Sequence, residues 1–188
     1  MRWFISDMHF GHAKVIEYCS RPFRDVADMN EKLVANWNGL IRQEEQVFVI
    51  GDVALGSFEE ACEIIKSLHG YKILIRGNHD RSIEKMLEMG FDQVYNELDL
   101  ELKDGRRALL RHKPQLWQDI SPRQLQIHGH NHGGPKSVGK RINVCVDLWD
   151  YRPVMEDQLL FIRQGEPDEG DSDLINRMNH MKHNEQGE

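Results

Sequence analysis

Cysteine is scarce in this 188-residue chain: Cys19, Cys62 and Cys145 are widely spaced and form no C-x-x-C pair. An odd, scattered set builds neither a disulfide framework nor a thiolate zinc site, and it predicts a reducing, cytoplasmic setting. Long apolar runs are missing as well, with nothing near the roughly 18 residues of a membrane span. The opening stretch, MRWFISDMHF, breaks into charge too soon for a secretory signal. Positive charge is in deficit. The balance of 24 Lys+Arg against 31 Asp+Glu gives a net charge of −7, which argues against a duplex-DNA binder with a basic face. A small phosphorylated substrate stays open, because bound metal ions invert the local field. No repeat of fixed period is visible, and the length suits one domain with a real core.

What the chain has in quantity is histidine, ten residues in all. Short apolar segments at 2–6, 46–50, 71–75, 107–111 and 125–127 predict strands. Each is followed at once by a polar cluster: Asp7-Met8-His9, Gly51-Asp52, Gly77-Asn78-His79-Asp80, His112, and His128-Gly129-His130-Asn131-His132. The absence of alternation within these strands predicts burial on both faces. Helical spacing marks 26–42, and 57–68 opens with Ser57 and Glu60 at capping-box spacing and is closed by Gly70. A shorter helix is predicted at 81–89. Asp104-Gly105 predicts a hairpin between 97–103 and 106–112, and 141–147 reads as a further strand. The pattern predicts one α/β domain over 1–163, with two packed mixed sheets and helices outside. Residues 164–188 read as an acidic linker and tail, in which Leu174, Ile175, Met178 and Met181 recur at helical spacing and offer a surface for a protein partner.

Ligands of open α/β sheets collect beyond the carboxyl ends of the strands. Convergence there would assemble two carboxylates (Asp7, Asp52), four imidazoles (His9, His112, His130, His132) and the amide of Asn78. This mixed N/O set suits Mn²⁺, Fe²⁺, Zn²⁺ or Ni²⁺ rather than Ca²⁺. It is too large for one ion with open positions, whereas two ions sharing a carboxylate would use it fully. Two ions about 3.5–4 Å apart stabilise both the attacking and the leaving oxygen in phosphoryl displacement.

The ordered set D-x-H, G-D, G-N-H-D, a lone His after a strand, and G-H-x-H resembles the calcineurin-like metallophosphoesterase superfamily. The strings ISDMHFGH, RPF, NWN and IRGNHD are similar to a small bacterial and phage branch of it. The resemblance implies a four-layer αββα sandwich and two divalent ions, Mn²⁺ foremost. By that likeness Asp7, His9 and His132 hold the first ion, Asn78, His112 and His130 the second, and Asp52 bridges them. His79 would stabilise the transition state or protonate the leaving oxygen, and Asp80 would fix its ring. The implied reaction is in-line attack on phosphorus by a hydroxide bridging the ions. A small phosphodiester is the expected substrate, including nucleotides and cyclic nucleotides, with phosphomonoesters as a further class. Two other functions compete: a nuclease on single-stranded or oligonucleotide ends, and a non-catalytic scaffold on the same fold. The acidic balance weighs against the first and the complete donor set against the second. Two departures stand out. Many relatives read G-D-x-x-D, but Leu55 stands where the final acid would be, and the lone histidine lies between Arg111 and Lys113.

His12, Arg21, Arg24 and His128 are further candidates for contact with substrate phosphate. A helix-start role for His12, surface pairing of the arginines with Asp25 or Asp28, and a supporting role for His128 are the alternatives. Trp37, Trp117 and Trp149 are expected to pack in the core or at its rim, and Cys145 to serve as a small apolar residue.

Overall fold

The computed structural model describes residues 1–116 and 124–161. The expectations for Trp117 and for the 164–188 tail lie outside these residues. The first sheet has the order β10-β1-β2-β3-β4. Strands β1 (Arg2–Ile5), β2 (Gln46–Val49), β3 (Tyr71–Ile75) and β4 (Gln93–Tyr95) run parallel, and β10 (Val154–Met155) joins β1 antiparallel. The second sheet has the order β5-β6-β7-β9-β8. Here β6 (Arg107–Leu110), β7 (Gln124–His128) and β9 (Arg141–Asn143) are parallel, while β5 (Leu98–Glu101) and β8 (Ser137–Val138) pair antiparallel at the edges.

Alternation along the first sheet supplies two cores, because successive side chains leave a strand on opposite faces. Phe4, Phe48, Ile50, Ile73 and Ile75 face the second sheet and meet Ala108, Leu110, Leu125, Ile127 and Ile142. Trp3, Ile5, Val47, Val49 and Leu74 face outward and are covered by helices. Those helices are α2 (Val26–Leu40), α3 (Phe58–Ser67) and α4 (Ile83–Met89), preceded by the short α1 (Ala13–Tyr18). Met29, Leu33 and Trp37 of α2 are buried at 3.6-residue spacing, each contributing roughly 1.5–3 kcal/mol. The result is a mixed α/β fold of two packed sheets flanked by helices, as the sequence predicts.

The caps follow local chemistry. The Ser57 hydroxyl accepts from the Glu60 amide, so α3 starts where the Ser-x-x-Glu spacing places it, although the Ser57 hydroxyl itself donates to Glu59. Gly70 does not cap α3; the cap is Leu68, in extended conformation just after Ser67. It turns the chain into β3 at φ +91°, where a side chain would meet the Glu45 carbonyl.

The predicted strand at 141–147 is shorter than expected. Pairing stops at Asn143, and Val146–Leu148 forms a single 3₁₀ turn. In between, Cys145 makes a parallel bridge to Ser6. The Ser6 amide donates to the Val144 carbonyl and the Val146 amide to the Ser6 carbonyl, both at 3.1 Å. This stitch joins the end of β1 to the end of β9, so the carboxyl ends of both parallel sets open on one edge.

Candidate functional site

The loops on that edge are held together by their backbones. After β1, the amides of Asp7, His9 and Phe10 donate to the carbonyls of Gly51, Asp52 and Val53 after β2. Across the second sheet, the Gly129 amide donates to the His112 carbonyl. The reversal of direction needed here puts Asp7, His9, Asp52 and His130 at φ of 58°, 53°, 53° and 68°. Left-handed backbone costs an ordinary residue roughly 1–2 kcal/mol, and strain of this kind concentrates where function over-determines the structure. Close approach is enforced by glycine: a Cβ on Gly77 would strike the Asp52 carboxylate, and one on Gly129 would strike the Asp7 carboxylate.

The side chains of six predicted ligands converge. Asp52 Oδ2 lies 3.2 Å from His112 Nε2 and 3.8 Å from His9 Nε2. Asp7 Oδ1 lies 3.7 Å from His132 Nε2, and the His130 amide donates to both Asp7 oxygens. The rings of His112 and His130 are 5.1 Å apart, as are those of His9 and His132. Asn78, the remaining predicted ligand, stands exposed in the turn after β3. His79 follows it. Its amide donates to Asp52 Oδ1, and its half-exposed ring brings Nε2 to 3.9 Å from Asp52 Oδ2.

The electrostatics describe a site built for cations. Asp7 is fully buried, and burial pushes its carboxyl up despite the pull of His112 and His132. Burial acts the same way on Asp52, but the adjoining His112 imidazole outweighs it and holds the group low. Burial, helped by His132, drives His9 down to about 2, so its ring is neutral. Both ring nitrogens of His9 and Nε2 of His112 are buried without a hydrogen-bond partner. Orphaned imidazole nitrogens beside two buried carboxylates are costly unless an ion takes them. Two donor groups, Asp7-His9-Asp52 and Asp52-His112-His130, each have ligand atoms within 4.8 Å of one another. The residues present therefore fit divalent metal.

Supporting contacts set the tautomers. A carbonyl only accepts, so the 2.8 Å contact from His112 Nδ1 to Ile50 O fixes the proton on Nδ1 and leaves Nε2 for the ion. His132 Nδ1 is 2.7 Å from Asp147 Oδ2 and is fixed in the same way. Burial alone would lower His132, yet the Asp147 hydrogen bond raises it to about 10. A metal ion at Nε2 would have to displace a proton. Asp147, which no sequence motif marks, is itself held near 2: burial opposes this, but His132 and Arg21 overcome it. Its signal was the rule used for the other clusters, an acid closing an apolar run, hidden because the strand was expected to continue through it. Cys145 also faces the site, with Sγ 3.2 Å from Asp147 Oδ2. Asp147→Asn is expected to weaken metal binding about 10–100-fold. A Mn²⁺ titration followed by electron spin resonance checks this, and unchanged affinity would show that Asp147 does not orient His132.

Two expected roles need correction. Arg21 does not reach toward substrate. Its side chain is fully buried, with Nε and Nη2 on the two Asp147 oxygens at 2.8 Å and with bonds to the carbonyls of Asp7 and Met8. A planar guanidinium fork suits this clamping of a carboxylate and a strained backbone. Arg24, by contrast, is exposed and pairs with Asp28 at 3.3 Å, the surface pairing its sequence neighbours offer. Asp80 does not hold the His79 ring through any contact among the described residues. Its oxygens accept from the amides of Asp52, Val53 and Gly77 at 3.0, 2.9 and 2.7 Å. His12 stands at the start of α1, its ring 5.4 Å from that of His9. His128 is buried with Nδ1 on the Gly129 carbonyl, and burial lowers it to about 4, so it is neutral.

No helix among the described residues is long and apolar enough to cross a membrane. An uncharacterized protein of Methanocaldococcus jannaschii is 34% identical over 169 residues, covering 84% of this chain and 88% of that protein. The gene 66 protein of Mycobacterium phage D29 is 38% identical over 188 residues, covering 82% of this chain and 92% of the phage protein. A crystal structure of a protein of unknown function from Aquifex aeolicus superposes with a TM-score of 0.71 at 28% identity, covering 87% of this chain and 99% of its own. The calcineurin-like phosphoesterase profile matches residues 2–187. On that match, and on a fold that gathers the motif residues to one edge, the chain belongs to the calcineurin-like phosphoesterase family.

Proposed function

We propose that this chain is a dinuclear-metal phosphoesterase acting on small phosphodiesters, with phosphomonoesters as a second class. The observation that carries the reading is the sharing of Asp52 by two donor groups, Asp7-His9-Asp52 and Asp52-His112-His130. His132, with Nε2 near Asp7 and its tautomer set by Asp147, completes the first group. Asn78, on the turn after β3, completes the second. Bound ions would activate a water and neutralise charge on the phosphoryl oxygens.

The chain's own residues do the positioning. Asp52 presents its carboxylate between the imidazoles because the His79 amide fixes one oxygen and Asp80 fixes the Asp52 backbone. His9 presents neutral nitrogen lone pairs into a water-poor space, where they need no reorganisation when the ion arrives. His79 stands at the boundary between this space and solvent. From there it reaches an ester oxygen on the phosphorus and gives it a proton as the bond breaks. The acidic balance and the intact donor set keep this reading ahead of a nuclease or a scaffold. A cytoplasmic setting fits the free cysteines, Cys19, Cys62 and Cys145.

The test is turnover of bis(4-nitrophenyl) phosphate against 4-nitrophenyl phosphate with Mn²⁺ added, and again after chelation. Metal-dependent turnover that favours the diester is expected; undiminished turnover without metal would refute the reading. In the same assay His79→Ala is expected to keep the metal and lower kcat about 10²–10⁴-fold, the usual worth of a positioned proton donor. Loss of metal with an unchanged rate per bound ion would instead make His79 a ligand.

A further inference from the structure

A hollow of about 220 Å³ opens beside the donor cluster, and His79 forms part of its wall. Leu55, Phe58, Ala61 and Met89 line it together with Ser57 and Arg81. The walls are fixed. Ala54 is bridged to Phe10, the Leu55 amide donates to the Phe10 carbonyl, and Ser57 caps the helix that carries Phe58 and Ala61. Arg81 Cζ lies 5.0 Å and Lys85 Nζ 5.1 Å from the centroid of the Phe58 ring. Leu55 occupies the position where G-D-x-x-D relatives carry an acid. An apolar side chain there removes a negative charge that would otherwise repel a phosphoester.

We propose, resting on the phosphoesterase reading above, that this hollow receives the leaving alcohol of the ester and selects a planar aromatic one, an aryl or nucleobase-bearing group. Size limits the occupant. Pockets for drug-sized ligands start at about 300 Å³, so this one suits a single ring system rather than a polymer. Its chemistry points the same way. An aromatic plate with aliphatic neighbours recognises the face of a flat ring, and Ser57 and Arg81 offer polar partners to its edge. Its place settles which arm of the ester it holds. A group touching the wall formed by His79 is attached to the oxygen that His79 reaches. In the reaction water adds its oxygen to phosphorus and the phosphorus–oxygen bond to this group breaks. The bonding pair stays on the departing oxygen, which takes a proton from His79. The proton released by the water restores the balance, and the products are an alcohol and a phosphate bearing one ester fewer.

Titration calorimetry on the Mn²⁺-loaded full chain separates this subsite from the reaction, using phenylphosphonate and methylphosphonate, neither of which is hydrolysed. Phenylphosphonate is expected to bind about tenfold more tightly, the order of one good aromatic contact. The ratio should fall toward one in Phe58→Ala and drop severalfold in Arg81→Ala, whose exposed side chain can be removed without disturbing the fold. Equal binding of the two phosphonates by the native protein, or a preference that survives both substitutions, would overturn the subsite while leaving the phosphoesterase reading intact. If neither phosphonate binds and bis(4-nitrophenyl) phosphate is not turned over, the reading itself falls and the subsite with it.

Discussion

Asp52→Asn is expected to leave a folded protein that has lost its tightly held metal and about a thousandfold or more of its phosphodiesterase rate. Asparagine keeps the volume of the side chain and can still accept from the His79 amide, which now bonds to Asp52 Oδ1. The Asp52 and Val53 amides keep their bonds to the Asp80 carboxylate, because those use none of the Asp52 side chain. What disappears is the negative charge beside His9, His79 and His112, whose Nε2 atoms lie 3.8, 3.9 and 3.2 Å from Asp52 Oδ2. A neutral amide cannot offset two close cations, and Asp7 alone would remain to do so. Metal content by elemental analysis, melting temperature and rate should be read together. A variant that retains both its metal and its rate would show that Asp52 is not the shared ligand.

Asp80→Ala is expected to act mainly on the scaffold, and strongly. One carboxylate gathers the amides of Asp52, Val53 and Gly77, tying the turn after β2 to the turn after β3. Removing it leaves three donors unsatisfied, each costing about 1–3 kcal/mol when buried. A loss of at least about 3 kcal/mol follows, which lowers the melting temperature of a domain this size by roughly 6–12 °C. The metal-free protein should show that loss too, since the bonds are backbone contacts and not ligands. Turnover should fall as well, because Asp52 sits at φ 53° and needs this tether to stay there. A melting temperature within a degree or two of the native value would contradict the assignment and return Asp80 to a role beside the His79 ring.

Much of this arrangement was legible because parallel strands end on one edge. A polar residue directly after a fully buried strand has few places to go, so Asp7, Asp52, His112 and His130 could be placed from local pattern alone. The hairpin at Asp104-Gly105 and the start of α3 at Ser57 follow from equally local chemistry. The residues misread or missed are those whose roles depend on a distant partner. Arg21 looked like a surface arginine because Asp25 and Asp28 are its neighbours in sequence, yet its partner is Asp147, 126 positions away. Asp147 was hidden inside a run that reads as continuous strand but breaks after Asn143 to bridge the two sheets. Asp80 follows His79 in the chain, but adjacent side chains in a turn point apart, and its oxygens found backbone amides instead.

A paired metal site is the central claim, and metal stoichiometry tests it most directly. After saturation with Mn²⁺ and removal of free ion, the native chain should retain two ions. The exchange-coupled spectrum of the pair should vanish when Asp52 is changed to Asn. A native protein that retains one ion or none while hydrolysing a phosphodiester at full rate would contradict it.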